Sequence, residues 1–302
     1  MLNIIGNRNY FFLFSGTLLA LSFLALGIFG LKPSIDFTGG SLMVITYTET
    51  RPAITEIQDI LQKTGYENSL VQPIGEKGYS IKLSYLDENQ HQELLGAIRG
   101  KFEKDGNKVL EDRLETIGPS VSAVLKKRVW TAGLVVILAI ILYISYAFRK
   151  VSRPVQSWKY GISAVIALVH DVAITAGVFA ILGRYYGVHV DIPFVVALLT
   201  ILGYSVNDTI VVFDRIRENL IRRSANTFEA VANIAVNETM VRSLNTSLTV
   251  LLVLVALFFF GGASIHYFTL ALIIGIGFGT YSSIFVASTI LVVWEKWSRS
   301  RG

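Results

Sequence analysis

The chain has 302 residues, of which 52% are hydrophobic and only 16% are charged. With a mean hydropathy of +0.54, this composition excludes an ordinary soluble enzyme of the same length and is typical of an integral membrane protein. The net charge of +5 comes from Lys and Arg in short loops beside apolar segments, so we expect no nucleic-acid partner. The absence of Cys excludes disulfides, thiolate nucleophiles and zinc–thiolate sites.

Six apolar segments are long enough to cross a membrane, because about 20 residues at 1.5 Å per residue traverse a ~30 Å hydrocarbon core. The first segment is too long for the core of a cleaved signal peptide, so we interpret it as a membrane span. The predicted spans lie between Arg8 and Lys32, between Arg128 and Arg149, at Tyr160–Gly183, at Ile192–Phe213, and on either side of Gly261-Gly262-Ala263-Ser264 within Ser243–Trp294.

Lys and Arg predict the orientation of these spans. The 214–242 segment contains five Arg, and by the positive-inside rule it belongs in the cytoplasm together with the basic 149–159 loop and the basic tail. Both termini are then cytoplasmic, in what we expect to be the cytoplasmic membrane of a bacterium. The basic residues of the loop and tail are Arg149, Lys150, Arg153, Lys159, Lys296, Arg299 and Arg301.

Three parts follow from this topology: residues 1–31 with span one, an extracytoplasmic domain at 32–127, and spans two to six at 128–302. The domain carries 14 of the 22 acidic residues. Its element order, β-α-β-β-α-β, is typical of a ferredoxin-like α+β fold. We predict strands at 42–48, 66–73, 79–85 and 109–117, and helices at 52–64 and 87–104.

The external domain contains no residue pattern for a nucleophile, a metal cluster or a phosphate loop. We therefore predict that it binds or moves rather than catalyses. Its single histidine, His91, is predicted to be an exposed helix residue rather than a ligand.

Two acidic residues lie within predicted spans, where an ionisable group costs roughly 2.5–3.5 kcal/mol or more at the helix centre. Asp171 is near the middle of span three, and Asp208 is nearer the cytoplasmic end of span four. Arg242 opens span five at the depth of Asp208, so a carboxylate–guanidinium pair could act as a protonation switch. Helical spacing predicts inward-facing polar stripes beside them, formed by Thr200, Tyr204, Asn207, Asn245 and Thr246.

Structural interpretations of the same residues remain open. Arg242 could be only a positive-inside flank, and Asp171 and Asp208 could be hydrogen-bonded packing residues. In span six, a repeat of small residues at four-residue intervals predicts a helix-packing seam: Gly275, Gly279 and Ser283. Residues 226–235 predict a short amphipathic helix on the membrane surface.

Several motifs are distinctive: Ile35-Asp36-Phe37-Thr38-Gly39-Gly40, Ile117-Gly118-Pro119, His170-Asp171-Val172, a 199–215 segment containing Gly203-Tyr204-Ser205-Val206-Asn207-Asp208, and Gly279-Thr280-Tyr281-Ser282-Ser283-Ile284. Together they resemble the SecF branch of the SecD/SecF family, part of the resistance-nodulation-division (RND) superfamily. The resemblance extends over essentially the whole chain. It differs at Val241-Arg242-Ser243, where the family pattern is Ser-Arg-Thr.

This resemblance implies six spans of RND type and an accessory transport subunit that is not an enzyme. It implies a SecD-like partner, the SecYEG channel, unfolded preproteins as substrates, and a proton or sodium motive force as the energy source. No cofactor and no metal are implied.

The resemblance also implies roles for individual residues. Asp208 and Arg242 would form the proton or ion relay, with Asp171 as a lesser intramembrane site. A family motif at the entrance of the external domain would be either a flexible lever or a plain turn, and it comprises Asp36, Phe37, Gly39 and Gly40.

Three other functions remain as alternatives. An RND-type exporter of small molecules or lipids would require a substrate cleft, which is normally built by larger external domains. An intramembrane aspartyl protease would use Asp171 and Asp208, but their depths differ and the sequence before Asp208 is not the Gly-x-Gly-Asp of that class. A passive assembly scaffold would use the polar stripes only for packing.

Overall fold

The computed structural model describes residues 1–104, 106–149 and 155–300. Lys150, Arg153 and Arg301, which contributed to the predicted topology, lie outside the described residues. The chain divides into two compact units. The helical unit is formed by Met1–Lys32 and Thr131–Gly302, and the external unit, named after its predicted location, is formed by Pro33–Trp130.

Within the described residues, six helical segments are apolar and long enough to cross a membrane, as the sequence predicts. Span six is interrupted by a π-helical turn at Ser283–Ala287. The helices are α1 (Arg8–Phe29), α5 (Pro119–Ala147), α6 (Ser157–Tyr186), α7 (Ile192–Ile221), α8 (Phe228–Phe260), α9 (Ala263–Ser282) and α10 (Ser288–Arg299).

The predicted surface helix at 226–235 is wrong, because α8 continues without a break from Phe228 to Phe260. Thr227 begins the helix, and its side chain accepts a hydrogen bond from the backbone N–H of Ala230. Phe228 and Ala232 are buried in the core of the helical unit. The apolar face that suggested a membrane surface therefore packs against other helices, and no Gly or Pro ends the helix before span five.

The N-terminal segment and the C-terminal helix meet at the start of α8. The side-chain amide of Asn233 donates to the backbone carbonyl of Leu2 at 3.0 Å. Glu229 forms an ion pair with Arg8 at 2.6 Å and another with Lys296 of α10. The two ends of the described chain consequently lie at the same end of the helical unit.

The external unit has the predicted ferredoxin-like topology. Its four strands form an antiparallel sheet in the order β2-β3-β1-β4, and its core contains residues of both long helices and of the sheet. The elements are α2 (Ile35–Thr38), β1 (Gly40–Tyr47), α3 (Ile54–Lys63), β2 (Leu70–Ile74), β3 (Gly78–Leu83), α4 (Glu88–Phe102) and β4 (Val109–Ile117).

The core of the external unit follows the alternation of its strands. Met43, Ile45 and Tyr47 of β1 and Ile81 of β3 point to the same side and are almost completely buried. Helix α4 adds Ile98 from its buried face. An apolar core of this kind is what burial of alternating strand residues beneath two amphipathic helices produces.

The prediction that His91 is exposed is wrong. Only 6% of its surface is accessible, and its Nε2 atom lies 2.8 Å from Glu111 Oε1 on β4. His91 lies on the face of α4 that packs against the sheet, three residues before Leu94. A hydrogen bond to a carboxylate satisfies the polar ring where water is excluded.

Burial shifts the pKa values of Lys82 and Tyr47 in the external unit. Desolvation lowers the pKa of Lys82, whose Nζ donates to the backbone carbonyl of Pro33 at 2.9 Å. Desolvation raises the pKa of Tyr47, and the charges of Tyr79 and Glu56 add to the rise. Both shifts favour the uncharged form, as expected for groups withdrawn from water.

Candidate functional site

Asp171 lies at the centre of a buried hydrogen-bond network. It is fully buried on α6, and its Oδ2 atom accepts hydrogen bonds from Ser205 at 2.7 Å and from Ser282 at 2.8 Å. Its Oδ1 atom lies 2.9 Å from Nδ1 of the neighbouring His170. Three helices therefore meet at this carboxylate, and each of its oxygens has a partner.

Asp208 is buried on α7 but is only partly satisfied. Ser243 of α8 donates to its Oδ1 atom at 2.5 Å. Its Oδ2 atom has no hydrogen-bond partner within the part of the chain that the structure describes.

The predicted ion pair between Asp208 and Arg242 is not formed. Arg242 is exposed on the surface of α8, and among the described residues no ion pair within 4.0 Å includes it. Arg242 is nevertheless the chain neighbour of Ser243, the residue that donates to Asp208. Adjacent residues of a helix point about 100° apart, so Ser243 faces Asp208 while Arg242 faces outward.

Further hydroxyl groups continue this network among α7, α8 and span six. Thr209 Oγ1 lies 2.8 Å from Ser283 Oγ. Thr280 donates to Ser247 Oγ at 2.5 Å, and Tyr204 donates to the same atom at 3.3 Å. The interfaces between these helices are thus held by hydroxyl contacts, as is common between membrane helices.

Most of the predicted supporting face points away from these contacts. Thr200 and Asn207 are exposed on α7, and Thr200 donates to the backbone carbonyl of Val196 on its own helix. On α8, Asn245 and Thr246 are exposed as well. Of the predicted set, only Tyr204 contacts the buried network. On both α7 and α8, the buried face is therefore rotated away from the face on which the inward polar stripe was predicted.

The hydroxyl residues that bond the two carboxylates were not among the predicted site residues. They are short hydroxyl side chains on the buried faces: Ser205, Ser243 and Ser282. The available signal was position, because Ser205 precedes Asp208 by three residues and therefore shares its helix face. In an apolar segment, a serine that bonds a carboxylate has the same sequence pattern as a serine that only allows close helix packing. The pattern therefore does not distinguish the two roles.

The predicted small-residue seam lies where α9 crosses α7. A Cβ atom on Gly275 would fall 2.1 Å from Ile201 Cδ1, and one on Gly279 would fall 3.0 Å from Ser205 Cβ. Ser283, in the same repeat, contacts Thr209. The close approach of α9 is what brings Ser282 within reach of Asp171.

The motif at the entrance of the external unit forms a capped helical turn. Ser34 caps α2 by accepting a hydrogen bond from the backbone N–H of Asp36, and Phe37 lies within α2. Gly39 and Gly40 have φ values of 72° and 118°. A Cβ atom on Gly40 would lie 2.4 Å from the carbonyl oxygen of Leu83, so this position requires glycine for both its conformation and its space.

The two intramembrane carboxylates share no hydrogen-bond partner among the described residues. Asp171 is bonded through Ser205 and Ser282, whereas Asp208 is bonded through Ser243. An aspartyl protease needs two carboxylates that share a site, and these engage separate partners. In the described ranges, no three His, Asp or Glu side chains come together in a way that could hold a metal ion.

Residues 98–297 match the protein family described as protein export membrane protein SecD/SecF, C-terminal. Residues 24–50 match the SecD/SecF GG motif, which includes Gly39 and Gly40.

Similar proteins are described as protein translocase subunit SecF. The one from Thermobaculum terrenum is 43% identical, with 98% of this chain and 95% of that protein covered. The one from Synechocystis is 42% identical, with 88% of this chain and 84% of that protein covered.

Among solved structures, the chain is similar to the crystal structure of SecDF from Thermus thermophilus, described as a translocon-associated membrane protein. The TM-score is 0.82 at 33% identity. The alignment covers 98% of this chain but only 39% of the SecDF chain.

Proposed function

This chain belongs to the SecD/SecF family of protein-export membrane proteins, and on that premise we propose that it uses an ion gradient to promote protein export. The family membership supports a multi-pass transport subunit of SecF type rather than an enzyme. The proposal adds the energy source, which is the proton or sodium motive force, and the site at which the ion is exchanged.

One observation carries the proposal: Asp208 is a buried carboxylate with one satisfied oxygen and one oxygen without a described partner. A buried acid left in this state is costly unless it is protonated or bound by an ion or water. Arg242 adjoins Ser243, the residue that donates to Asp208, and a positive charge at this position would favour the charged form of Asp208 after the ion leaves. Asp208 and Arg242 would therefore alternate between two electrostatic states, and Asp171 would be linked to them through Ser205.

The available energy is sufficient for a conformational step. One elementary charge crossing 100 mV releases about 2.3 kcal/mol, and typical coupling between two protein sites is about 1–3 kcal/mol. Ser243 joins α8 directly to Asp208. A change in the charge of Asp208 would accordingly alter the packing of α8 against α7.

The exposed polar stripe on α7 and α8 supports a membrane partner. Its members, Thr200, Asn207, Arg242, Asn245 and Thr246, are exposed in this chain. Polar groups of this kind are not stable against lipid and require a protein or aqueous surface. We propose that a SecD-like subunit covers this face, in line with the longer SecDF chain, of which this chain covers 39%.

The remaining parts of the proposal concern location and substrate. The chain would lie in the bacterial cytoplasmic membrane with both termini in the cytoplasm, as the distribution of Lys and Arg indicates. The external unit would then meet unfolded preproteins that leave a SecYEG channel.

The test replaces Asp208 with Asn in the full chain, reconstituted with its SecD-like partner and SecYEG in vesicles. We expect ion-driven export to fall by about tenfold or more, a loss of at least ~1.4 kcal/mol of coupling, while assembly of the complex persists. Asp214→Asn is the matched control, because Asp214 is an exposed acid on the same helix, paired with Arg217. Replacing the proton gradient with a sodium gradient identifies the ion.

Each alternative function predicts a different result, and these results are measured in separate assays. Undiminished export in the Asp208→Asn variant would contradict the proposal, and insensitivity of the wild-type complex to uncouplers would favour a passive scaffold. Transport of a small molecule or lipid without preprotein would favour an exporter. Cleavage of a peptide by the purified chain would favour a protease.

A further inference from the structure

A π-helical turn, Ser283–Ala287, interrupts span six next to the buried carboxylates. Such turns are rare, usually occur singly within α-helices, and are frequent at functional sites. The wider turn changes the direction in which residues on its two sides point. Its position in this chain therefore decides which helices the adjacent serines can reach.

Two consecutive serines at the start of the turn bond to different helices. Ser282 donates to Asp171 Oδ2 on α6 at 2.8 Å. Ser283 donates to the backbone carbonyl of Ser205 on α7 at 3.2 Å and lies 2.8 Å from Thr209 Oγ1. All of these side chains are buried, so the turn is fixed between α6 and α7 by hydrogen bonds that have no competing water.

Asp171 is the acceptor that joins these contacts. Its Oδ2 atom accepts hydrogen bonds from Ser205 of α7 and from Ser282 of span six. Asp208 follows Ser205 by three residues on the same helix. The contacts that hold the π-helical turn therefore also hold the segment of α7 that presents Asp208.

We propose that Asp171 is a positioning residue that holds the π-helical turn of span six against α7 and thereby sets the position of Asp208. This inference rests on the proposed exchange of an ion at Asp208. Asp171 is fully buried and both of its oxygens are engaged, so it offers no open position to an incoming ion, whereas Asp208 retains one.

A pair of variants separates positioning from ion exchange. Asp171→Asn removes the acid but keeps an oxygen that can accept from both serines, so ion-driven export should change by no more than about twofold, a small effect on the scale of a lost hydrogen bond. The double variant Ser205→Ala/Ser282→Ala keeps the acid but removes both donors. Export should then fall by about tenfold or more. The opposite order of effects would overturn the proposal.

The distance between helices gives a readout that does not depend on export. Because the chain has no cysteine, spin labels can be placed at Ile221→Cys and Trp297→Cys, two exposed positions near the ends of α7 and α10. We expect Asp171→Ala and the double serine variant to shift this distance by about 1–2 Å, the scale of helix shifts in switching proteins. The Asp171→Asn variant should keep the wild-type distance.

Ser163→Ala is the matched control for these measurements. Ser163 is buried on the same helix as Asp171, and its hydroxyl has no partner among the described residues. Its removal should change neither export nor the distance. An unchanged distance in both Asp171→Ala and the double variant would overturn the positioning role, even if Asp208→Asn abolishes export. A shifted distance with undiminished export in Asp208→Asn would instead contradict only the proposed function.

Discussion

The helical unit and the external unit differ in the internal contacts that stabilise each of them. In the external unit, large apolar side chains such as Ile81 and Ile98 fill the space between the sheet and two helices. In the helical unit, Gly275 allows α9 to approach α7, and serine hydroxyls bond across the helices. The hydrophobic effect drives the first kind of packing. It does not operate between helices surrounded by lipid, where close contact and hydrogen bonds replace it.

This difference explains where the functional groups lie. An unpaired polar group destabilises the apolar core of the external unit, and the ring of His91 is hydrogen-bonded to Glu111 on β4. The helical unit already depends on polar contacts between its helices. It can therefore accommodate Asp171 and Asp208 within the same network of hydroxyl groups.

The largest expected effect comes from the apolar core of the external unit. Ile81→Ala should lower the free energy of unfolding of this unit by about 2–5 kcal/mol, because it removes a fully buried side chain and leaves a cavity. Hydrogen exchange of the β1 and β3 amides in the full chain measures the loss. Ile74→Ala is the control, since Ile74 is 47% exposed on β2. Equal losses of stability in Ile81→Ala and Ile74→Ala would contradict the role of the apolar core in this unit.

A smaller effect is expected from overpacking the helical seam. Gly275→Ala should lower the stability of the helical unit by about 1–3 kcal/mol, because its new methyl group would overlap the buried side chain of Ile201. Thermal unfolding in detergent measures this change. Gly277→Ala, on the same helix, has open space around the new methyl group and should be neutral. A destabilised Gly277 variant would show that loss of glycine, rather than the seam, matters.

The smallest effect is expected from a buried hydroxyl that disturbs the apolar core. Tyr47 OH is buried and has no hydrogen-bond partner in the described chain, so Tyr47→Phe should be neutral or stabilising by up to about 1 kcal/mol. Tyr79→Phe should be destabilising by a similar amount, because Tyr79 donates to the backbone carbonyl of Pro52 at 2.6 Å. Chemical unfolding followed by hydrogen exchange in the external unit compares the two.

The pH dependence of the Tyr47→Phe variant provides a second test of this prediction. Burial raises the pKa of Tyr47 above its ordinary value of 10.0, so the folded state keeps a proton that the unfolded chain releases. The stability contributed by this group is complete below pH ~10 and is lost as the pH rises above that value. Tyr47→Phe should therefore reduce the alkaline loss of stability, and an identical profile in the wild type and the variant would refute this.

The sequence predicted the six spans and the order of elements in the external unit, because both depend on local patterns. Strand β4 begins and ends at the predicted residues, Val109 and Ile117. By contrast, the surface helix at 226–235 was wrong, because an apolar helix face has the same spacing whether it meets lipid or another helix. The prediction that His91 is exposed was wrong for a related reason, because the buried face of α4 was predicted from its apolar residues alone.

The candidate site shows the same division. Asp171 and Asp208 were identifiable because acids are rare in apolar segments. The inward orientation of Thr200, Asn207, Asn245 and Thr246 was wrong, and so was the ion pair between Arg242 and Asp208, because both required knowing which face of each helix meets its neighbour.

The sequence by itself therefore determined that this protein crosses a membrane six times, carries a ferredoxin-like insertion and contains two intramembrane acids. Length, apolarity and residue spacing are properties of a single segment, and they need no knowledge of the rest of the chain. Only the tertiary structure decided that Asp171 is enclosed by serines from two other helices while Asp208 keeps one oxygen open. Hydrogen bonds between helices are short and directional, so rotating a helix by one residue replaces one partner with another.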